Sequence, residues 1–243
     1  MIEPLLLTVV RIFTFLEQRR RTNASGFFFE RDGRLFLVTT RHVLLDEPSG
    51  HYPDSIEIEL HVNAENLAES ACLLIPLYRD GLRLWREGRD SAGEIDVAVI
   101  EIDRAVIPAT AVYRAFTPRQ LLCRFDQVEV CTSLLVVGFP LGFHDTLHHM
   151  PVVRQAILAS SFGLRFQGEG YFLTDARTHR GTSGAPVVMR ITDPGAVHDD
   201  LPWMVLGVHA ARVDVGSRDQ DQDEALGLNC AWYIDILMVL TER

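Results

Sequence analysis

Short apolar runs separated by turn residues recur along most of this chain. Their length and their β-branched and aromatic content favour strands over helices. We predict strands over Leu6–Phe15, Gly26–Phe29, Leu35–Thr40, Ser55–Val62, Val97–Ile102, Val128–Gly138, Val152–Ser160, Gly170–Thr174, Ala185–Arg190, Met204–Ala210 and Leu226–Tyr233. Asp32-Gly33 separates two of these runs and predicts a hairpin turn, because glycine accepts the positive φ that such turns require.

Helical spacing of apolar residues is clear only near the C-terminus. The residues that show it are Ile234, Leu237, Met238 and Leu240. They predict a terminal helix. Further helical turns are predicted over Ala64–Ala71 and Thr117–Leu122, the latter with Thr117 as N-cap and Pro118 at the first helical position. The second of these lies where two halves of the chain would be joined.

Composition narrows the functional classes. Hydrophobic residues make up 47% of the 243 residues, which is enough for a sizeable core. The formal net charge of −10 argues against a nucleic-acid binder and against binding to anionic membranes. All 23 basic residues are arginine, which favours a bacterial origin. No run is long enough for a membrane span, and Glu3 and Arg11 make the apolar opening unlike a signal peptide.

The spacing of the cysteines and histidines matches no CxxC motif and no zinc site. Cys72, Cys123, Cys131 and Cys230 contain no CxxC pair, so we expect reduced, partly buried thiols and a cytoplasmic protein. His144, His148 and His149 share one loop, but no carboxylate or thiolate spacing completes a zinc site. We therefore expect no metal, and we interpret these histidines as a polar loop at the rim of a cleft.

Three segments carry residue types that together suit nucleophilic catalysis. A serine hydroxyl is a weak nucleophile, so it needs an imidazole to take its proton and a carboxylate to orient that imidazole. His42, Asp96 and Ser183 supply these groups in that chain order. Small residues around Ser183 allow backbone amides to converge, so Gly181 N–H and Ser183 N–H are the candidates for an oxyanion hole. An α/β-hydrolase would need a different motif and a different order.

These segments resemble the histidine, aspartate and serine motifs of chymotrypsin-like serine proteases. The segments are Thr39–Val43, Glu94–Ile100 and Arg180–Pro186. Three others resemble the high-temperature-requirement branch of bacterial proteases: Ala24–Phe27, Val137–Gly142 and Leu173–Ala176. The resemblance implies an all-β fold of two antiparallel six-stranded β-barrels with a C-terminal helix. Residues 1–116 would form the first barrel and residues 117–243 the second barrel and the helix, with the cleft between the barrels.

The resemblance also implies an activity. The chain is expected to be a serine endopeptidase that forms an acyl-enzyme on a protein or peptide substrate and needs no cofactor. Thr182 stands where digestive relatives have an Asp that pairs with a newly cleaved N-terminus, so activation by trimming is not expected. The sequence also predicts the protease domain alone, without an appended peptide-binding module. A regulatory partner is left open.

The primary specificity pocket is a further expectation from the resemblance. Glutamyl endopeptidases and the glutamine-cleaving picornaviral proteases hold the P1 side chain with a hydroxyl residue and a histidine, and Thr178 and His209 occupy those positions here. Arg177, Arg180 or Arg212 would add positive charge. Glu at P1 is therefore expected, with Asp or Gln as alternatives.

The sequence also leaves open a different P1 preference and a function without turnover. The acidic stretch Arg218–Glu224 would attract a basic P1 side chain if it lay at the pocket mouth, but a solvated hairpin tip is the simpler interpretation. The second function hypothesis is a protease-fold module that binds peptides or regulates a partner without turnover.

Overall fold

Most of the chain forms β-structure in the computed structural model, which describes residues 2–121, 128–191, 201–212 and 227–243, with only the backbone at 211 and 212. The strands of the first half are β1 (Val9–Leu16), β2 (Arg19–Arg31), β3 (Arg34–Thr39), β4 (Ser55–His61), β5 (Ser70–Pro76), β6 (Tyr78–Arg79), β7 (Leu82–Arg83), β8 (Trp85–Asp90) and β9 (Gly93–Ile102). Seven of them form one antiparallel sheet in the order β5-β4-β1-β2-β3-β9-β8, and β6 pairs with β7.

The second half contains another antiparallel sheet. Its strands are β10 (Ser133–Gly138), β11 (Val152–Ile157), β12 (Tyr171–Thr174), β13 (Pro186–Arg190), β14 (Trp203–Arg212) and β15 (Asn229–Tyr233). They are ordered β11-β10-β13-β14-β15-β12. Two short α-helices are described, α1 (Arg41–Leu44) directly after β3 and α2 (Ile236–Leu240) after β15.

The predicted all-β fold class, with two antiparallel sheets and a terminal helix, is confirmed. Among the described residues the first sheet has seven strands, one more than the six expected. β5 and β8 lie at the two ends of its strand order. Asp32 and Gly33 have φ angles of 51° and 75° and turn β2 into β3, as predicted.

The helix predictions have mixed outcomes. The C-terminal helix is present, with Leu237 and Leu240 buried. Residues 118–120 form a single 3-10 turn, begun as predicted at Thr117, whose backbone N–H and hydroxyl both donate to Gln120 Oε1 at 2.8 and 2.6 Å. The helix predicted over Ala64–Ala71 is wrong. There the side chain of Asn63 accepts hydrogen bonds from the next backbone N–H groups and makes a local turn instead.

Three apolar clusters hold the fold together. One fills the first sheet and one fills the second, and the third lies between them. β2 shows how one strand serves two clusters: Phe28 packs inside the first sheet, whereas Phe27 and Phe29 point to the cluster shared by both sheets. Since all three rings are essentially fully buried, truncating any of them should cost about 3–5 kcal/mol. This shared core fixes the position of one sheet against the other.

The domain boundary, the cysteines and the absence of a membrane span were also predicted from the sequence. The strands of the two sheets fall within residues 9–102 and 133–233, and the proposed boundary between residues 116 and 117 stays a prediction. Cys72 and Cys131 are exposed rather than partly buried, and Cys230 is half-buried. Cys123 and the stretch Arg218–Glu224 lie outside the described residues. In the part of the chain that is described, no helix has the length and apolarity to cross a membrane.

Candidate active site

His42 and Asp96 are brought together by the first sheet. His42 lies in α1, just after β3, and Asp96 lies in β9, which pairs with β3. Asp96 Oδ1 accepts the backbone N–H of His42 at 2.9 Å, and Oδ2 lies 2.7 Å from His42 Nδ1. The carboxylate is an acceptor only, so the proton is on Nδ1 and the lone pair of Nε2 is free to take a proton.

The charges around His42 favour its protonated form. Burial alone would lower the pKa of His42, but the Asp96 carboxylate, its hydrogen bond and the charge of Asp46 together raise it above the usual value. The imidazole side chain is about one-third exposed, at 34%, so it remains accessible from the cleft. This combination suits a general base that works near neutral pH.

Ser183 lies on the second-sheet side of the same cleft. Residues His42, Ser183, Gly181 and Arg180 line a space of about 640 Å³, together with Arg21, Asn23, Asp46, Tyr52 and other residues of the first half. The Ser183 hydroxyl donates to the Ala210 carbonyl oxygen at 2.8 Å, so its proton is directed to β14 rather than to His42. The serine and the histidine therefore share the cleft, but their hydrogen bond is not made in this conformation.

The backbone around Gly181 is arranged to bind an anion. Gly181 has a φ of 92°, and a Cβ at that position would lie 2.6 Å from the Phe139 carbonyl oxygen, so only glycine fits. The Arg180 carbonyl accepts the Leu141 N–H at 2.5 Å, and in a trans peptide the Gly181 N–H then points the opposite way. Neither Gly181 N–H nor Ser183 N–H has an acceptor among the described residues. Both are available for an oxyanion.

Ser25 of β2 is a structural residue that motif analysis did not single out. Its Oγ donates to the Gly181 carbonyl at 2.8 Å and accepts the Phe139 N–H at 3.0 Å. Its backbone N–H donates to the Ser183 carbonyl at 2.9 Å. Ser25 therefore ties the first sheet to both segments that shape the anion-binding backbone. Its position beside Gly26 in a recognised segment was the one signal available in the sequence.

The residues expected in the P1 pocket lie deeper. Thr178 is buried, and its hydroxyl donates to Asn229 Oδ1 at 2.6 Å, while Asn229 Nδ2 donates to the Ala176 carbonyl at 2.5 Å. Asn229 was not predicted, since no motif marks it. Arg177 is exposed, and the side chain of Arg212 is not described. Among the described residues, no hydrogen bond joins Thr178 to His209.

His209 is neutral because of where it lies. It is 2% exposed in β14, and its Nδ1 has no hydrogen-bond partner among the described residues. Burial, with a further contribution from the charge of His42, lowers the pKa of His209 to about 3. An orphaned buried polar atom is costly, and such an atom is expected where a ligand group completes the hydrogen bond.

The histidines of the loop before β11 do not form a metal site. In the described chain, no group of three or more His, Cys, Asp or Glu side chains is arranged to hold a metal ion. The His148 imidazole pairs with Asp145, and His149 Nδ1 lies 2.9 Å from Glu59. His144 contacts Arg11 and the Gly142 carbonyl. The loop is anchored to the first sheet through Glu59 and Arg11.

Comparison with known proteins agrees with this geometry. A family model of the trypsin-like peptidase domain matches residues 24–191, which is more than half of the chain and includes His42, Asp96 and Ser183. No curated protein sequence is significantly similar to the chain.

Solved structures with a similar fold are HtrA-type proteases. A substituted form of the HtrA-type protease AlgW with a tripeptide has a TM-score of 0.57 and 18% identity, over 96% of this chain and 58% of that one. AlgW with a tripeptide gives 0.56 and 17% over the same shares. A serine endoprotease from Yersinia pestis gives 0.53 and 16%, over 96% of this chain and 61% of its own. The chain thus spans less than two thirds of the length of these proteases, and at this identity the likeness concerns the fold.

Proposed function

Because this chain belongs to the trypsin-like peptidase family, we propose that it is a serine endopeptidase that cleaves protein or peptide substrates. One observation carries the proposal: the hydrogen-bonded pair of His42 and Asp96 faces the same cleft as Ser183 and the free N–H groups beside it. No cofactor enters the proposed reaction, because the acid, base and nucleophile are all side chains.

The proposed reaction runs through an acyl-enzyme. Ser183 Oγ attacks the scissile carbonyl carbon while His42 Nε2 takes its proton, and Asp96 stabilises the imidazolium that forms. The N–H groups of Gly181 and Ser183 donate to the oxygen that becomes negative. His42 then gives the proton to the departing amine, and water, activated by the same imidazole, releases the acyl group.

This reaction requires one local change in the cleft. The Ser183 hydroxyl has to leave the Ala210 carbonyl and turn towards His42. Catalytic hydrogen bonds are often unmade in the free enzyme and form when substrate binds. We propose that the bound substrate stabilises the rotated serine.

For the P1 residue, the surroundings of His209 favour Gln over Glu. With a pKa of about 3, His209 offers a neutral N–H donor near pH 7 and no positive charge for a buried carboxylate. The Thr178 hydroxyl donates its one hydrogen bond to Asn229, so its oxygen can only accept a hydrogen bond from a ligand. A P1 amide satisfies both groups, with its oxygen at His209 and its nitrogen at Thr178. The sequence alone favours Glu, and we propose the reverse order from the charge state of His209.

A peptide library with varied P1 residues tests this specificity. We expect cleavage after Gln to exceed cleavage after Glu, with a ratio that stays constant between pH 6 and 8 because His209 does not titrate there. His209→Leu should lose the preference for Gln. A library led by Glu, Arg, Phe or Val would contradict the pocket assignment and leave the protease assignment intact.

The second candidate function is a peptide-binding module without turnover. The hydrogen bond from Ser183 to Ala210 supports it, because a serine held in that position is not activated. Labelling with a fluorophosphonate distinguishes the two functions. The wild-type chain should label quickly, and Ser183→Ala and His42→Ala should not. A wild-type chain that binds peptide but does not label would favour the binding module.

Two sequence expectations remain proposals of the same kind. Thr182 is uncharged and buried, so we propose that activity does not wait for a new N-terminus. Intact mass and activity measured on one preparation test this, and activity that appears only after trimming would overturn it. Residence in the cytoplasm stays a prediction from the cysteines and the chain opening.

A further inference from the structure

The loop between β10 and β11 controls the peptide that faces the proposed oxyanion. Leu141 in this loop donates its N–H to the Arg180 carbonyl at 2.5 Å, and that bond sets the direction of the Gly181 N–H. If Leu141 moved, the peptide between Arg180 and Gly181 would be free to turn over. The oxyanion hole therefore depends on how firmly Leu141 is held.

Leu141 does not hold itself in place. It has a left-handed φ of 55°, which strains a non-glycine residue, and 68% of the residue is exposed, so packing contributes little. Gly142 N–H donates to the Phe139 carbonyl at 2.9 Å, and Phe143 N–H donates to the Pro140 carbonyl at 2.8 Å. These two bonds close the turn on itself. Ser25 already anchors the start of this turn through the Phe139 N–H, and a contact at Gly142 would anchor its other end.

His144 supplies that contact. Its Nδ1 lies 2.6 Å from the Gly142 carbonyl oxygen, and Arg11 Nη1 lies 3.0 Å from Nε2 and 3.2 Å from Nδ1. Because Nη1 is almost equally close to both ring nitrogens, the guanidinium packs against the imidazole, while Nδ1–H donates to the Gly142 carbonyl. Arg11 belongs to β1 of the first sheet, so the imidazole links the two sheets directly beside the strained turn.

Arg11 is itself held in position. Its Nη2 donates to Glu59 Oε2 at 2.7 Å, and Glu59 also accepts the Ser70 hydroxyl at 2.8 Å. Burial disfavours the Glu59 carboxylate, but Ser70, His149 and Arg11 more than offset this and lower its pKa. The guanidinium is only 15% exposed. A partly buried, paired arginine is a firm support for the imidazole.

We propose that His144 is a positioning residue for the proposed oxyanion hole, and that Arg11 of the first sheet holds it there. This inference rests on the proposed function. His144 touches no substrate; it fixes the turn that carries Leu141, which in turn directs the Gly181 N–H. Its loss should therefore weaken transition-state stabilisation and leave peptide binding intact.

The test separates kcat from binding. We expect His144→Ala to lower kcat by about 10- to 100-fold. This loss is smaller than the loss from removing an oxyanion donor, because the Gly181 N–H is misdirected but still present. His144→Asn retains a donor near Nδ1 and should recover part of this loss. In a Ser183→Ala background, the Kd of the same peptide should change less than twofold on His144→Ala. Arg11→Met should reproduce the kcat defect, and the double variant should be no worse than His144→Ala alone.

His148→Ala is the matched control, because this histidine lies in the same loop and, in the described part of the chain, its side chain hydrogen-bonds only to Asp145. It should keep wild-type kcat. The inference is overturned if His144→Ala keeps wild-type kcat, or if the peptide Kd worsens as much as kcat/KM. Should His144→Ala fail to fold, Arg11→Met carries the same test. A wild-type chain that does not label with fluorophosphonate would refute the proposed function itself.

Discussion

The two sides of the cleft differ in how far their chemistry is assembled. On the first-sheet side, Asp96 already makes both of its hydrogen bonds to His42. On the second-sheet side, the Ser183 hydroxyl still donates to Ala210, and the Gly181 peptide is held by side chains and loops from elsewhere. The proposed base is fixed by neighbouring strands, and the proposed nucleophile is fixed by long-range contacts. The second side is therefore the part of the proposed site that distant substitutions can disturb.

The largest expected effect breaks the assembled side. Asp96→Asn should lower kcat by roughly 10⁴-fold with the fold retained, because the amide favours the wrong imidazole tautomer. Peptide hydrolysis and thermal unfolding measured on the same sample would check this. Asp46→Asn serves as the control, since Asp46 affects His42 only through its charge. Equal losses in the two variants would contradict a specific role for Asp96.

A smaller loss is expected on the second side. Gly181→Ala should lower kcat by roughly 10²- to 10³-fold, because its Cβ would displace the Phe139 carbonyl or the peptide that faces the oxyanion. Gly33→Ala is the matched control: it also has a positive φ, but a Cβ there would meet nothing within 4 Å. Steady-state kinetics on both variants gives the comparison. If both substitutions reduced kcat alike, backbone strain in general would be responsible.

The burial of His209 should be visible in how the stability of the protein depends on pH. His209 has a folded pKa of about 3, well below the value near 6.5 of an unfolded histidine. Between these values the unfolded chain binds the extra proton, so stability falls as the pH falls from 6.5 towards 3. The contribution is about 1.4 kcal/mol per pH unit. Denaturant unfolding of the wild type and of His209→Gln should show a shallower acid dependence in the variant. Parallel curves would mean that His209 is not buried in the neutral form.

The smallest effect concerns the pH profile. His42 must be neutral to accept a proton, and its pKa is raised, so kcat/KM should rise with pH and reach half its maximum above pH 6.5. Asp46→Asn removes one of the charges that raise the pKa of His42, so it should move this midpoint to lower pH. The plateau of kcat/KM at high pH should stay unchanged. A midpoint that moves to higher pH, or does not move, would show that Asp46 does not act on His42 by its charge.

Much of the fold could be predicted because its signals are local. Each of the eleven predicted strands overlaps an observed strand, since each is a short apolar run bounded by turns. The bounds differ most for β2, which begins at Arg19 instead of Gly26, and for β10, which begins at Ser133 instead of Val128. The strands that were missed are β5 to β8. β5 contains the apolar run Ala71–Ile75, which was not assigned to a strand. β6 and β7 have only two residues each, and β8 carries alternating charges after Trp85. Such strands form because a neighbour offers hydrogen bonds, which the local sequence does not reveal.

The site shows the same division. His42, Asp96 and Ser183 could be identified because each lies in a short motif of its own. Asn229, Leu141 and Ser25 could not, because their roles come from partners far away in the chain: Ser25 and Phe139 are 114 residues apart. The buried state of His209, on which the proposed preference for a neutral P1 side chain rests, is likewise a property of the packed sheets and not of its motif.

The contacts of Ser25 have a consequence for how the protein folds. Its Oγ joins residues separated by 114 and 156 positions, so the chain must close very long loops before these bonds form. Closing such loops costs entropy early, and native pairing with large sequence separation slows folding. The His42–Asp96 pair needs a separation of only 54 residues. We therefore expect refolding chains to recover the β-sheet signal of the first half before they recover serine reactivity. A newly made chain would then fold its first half before its serine becomes reactive.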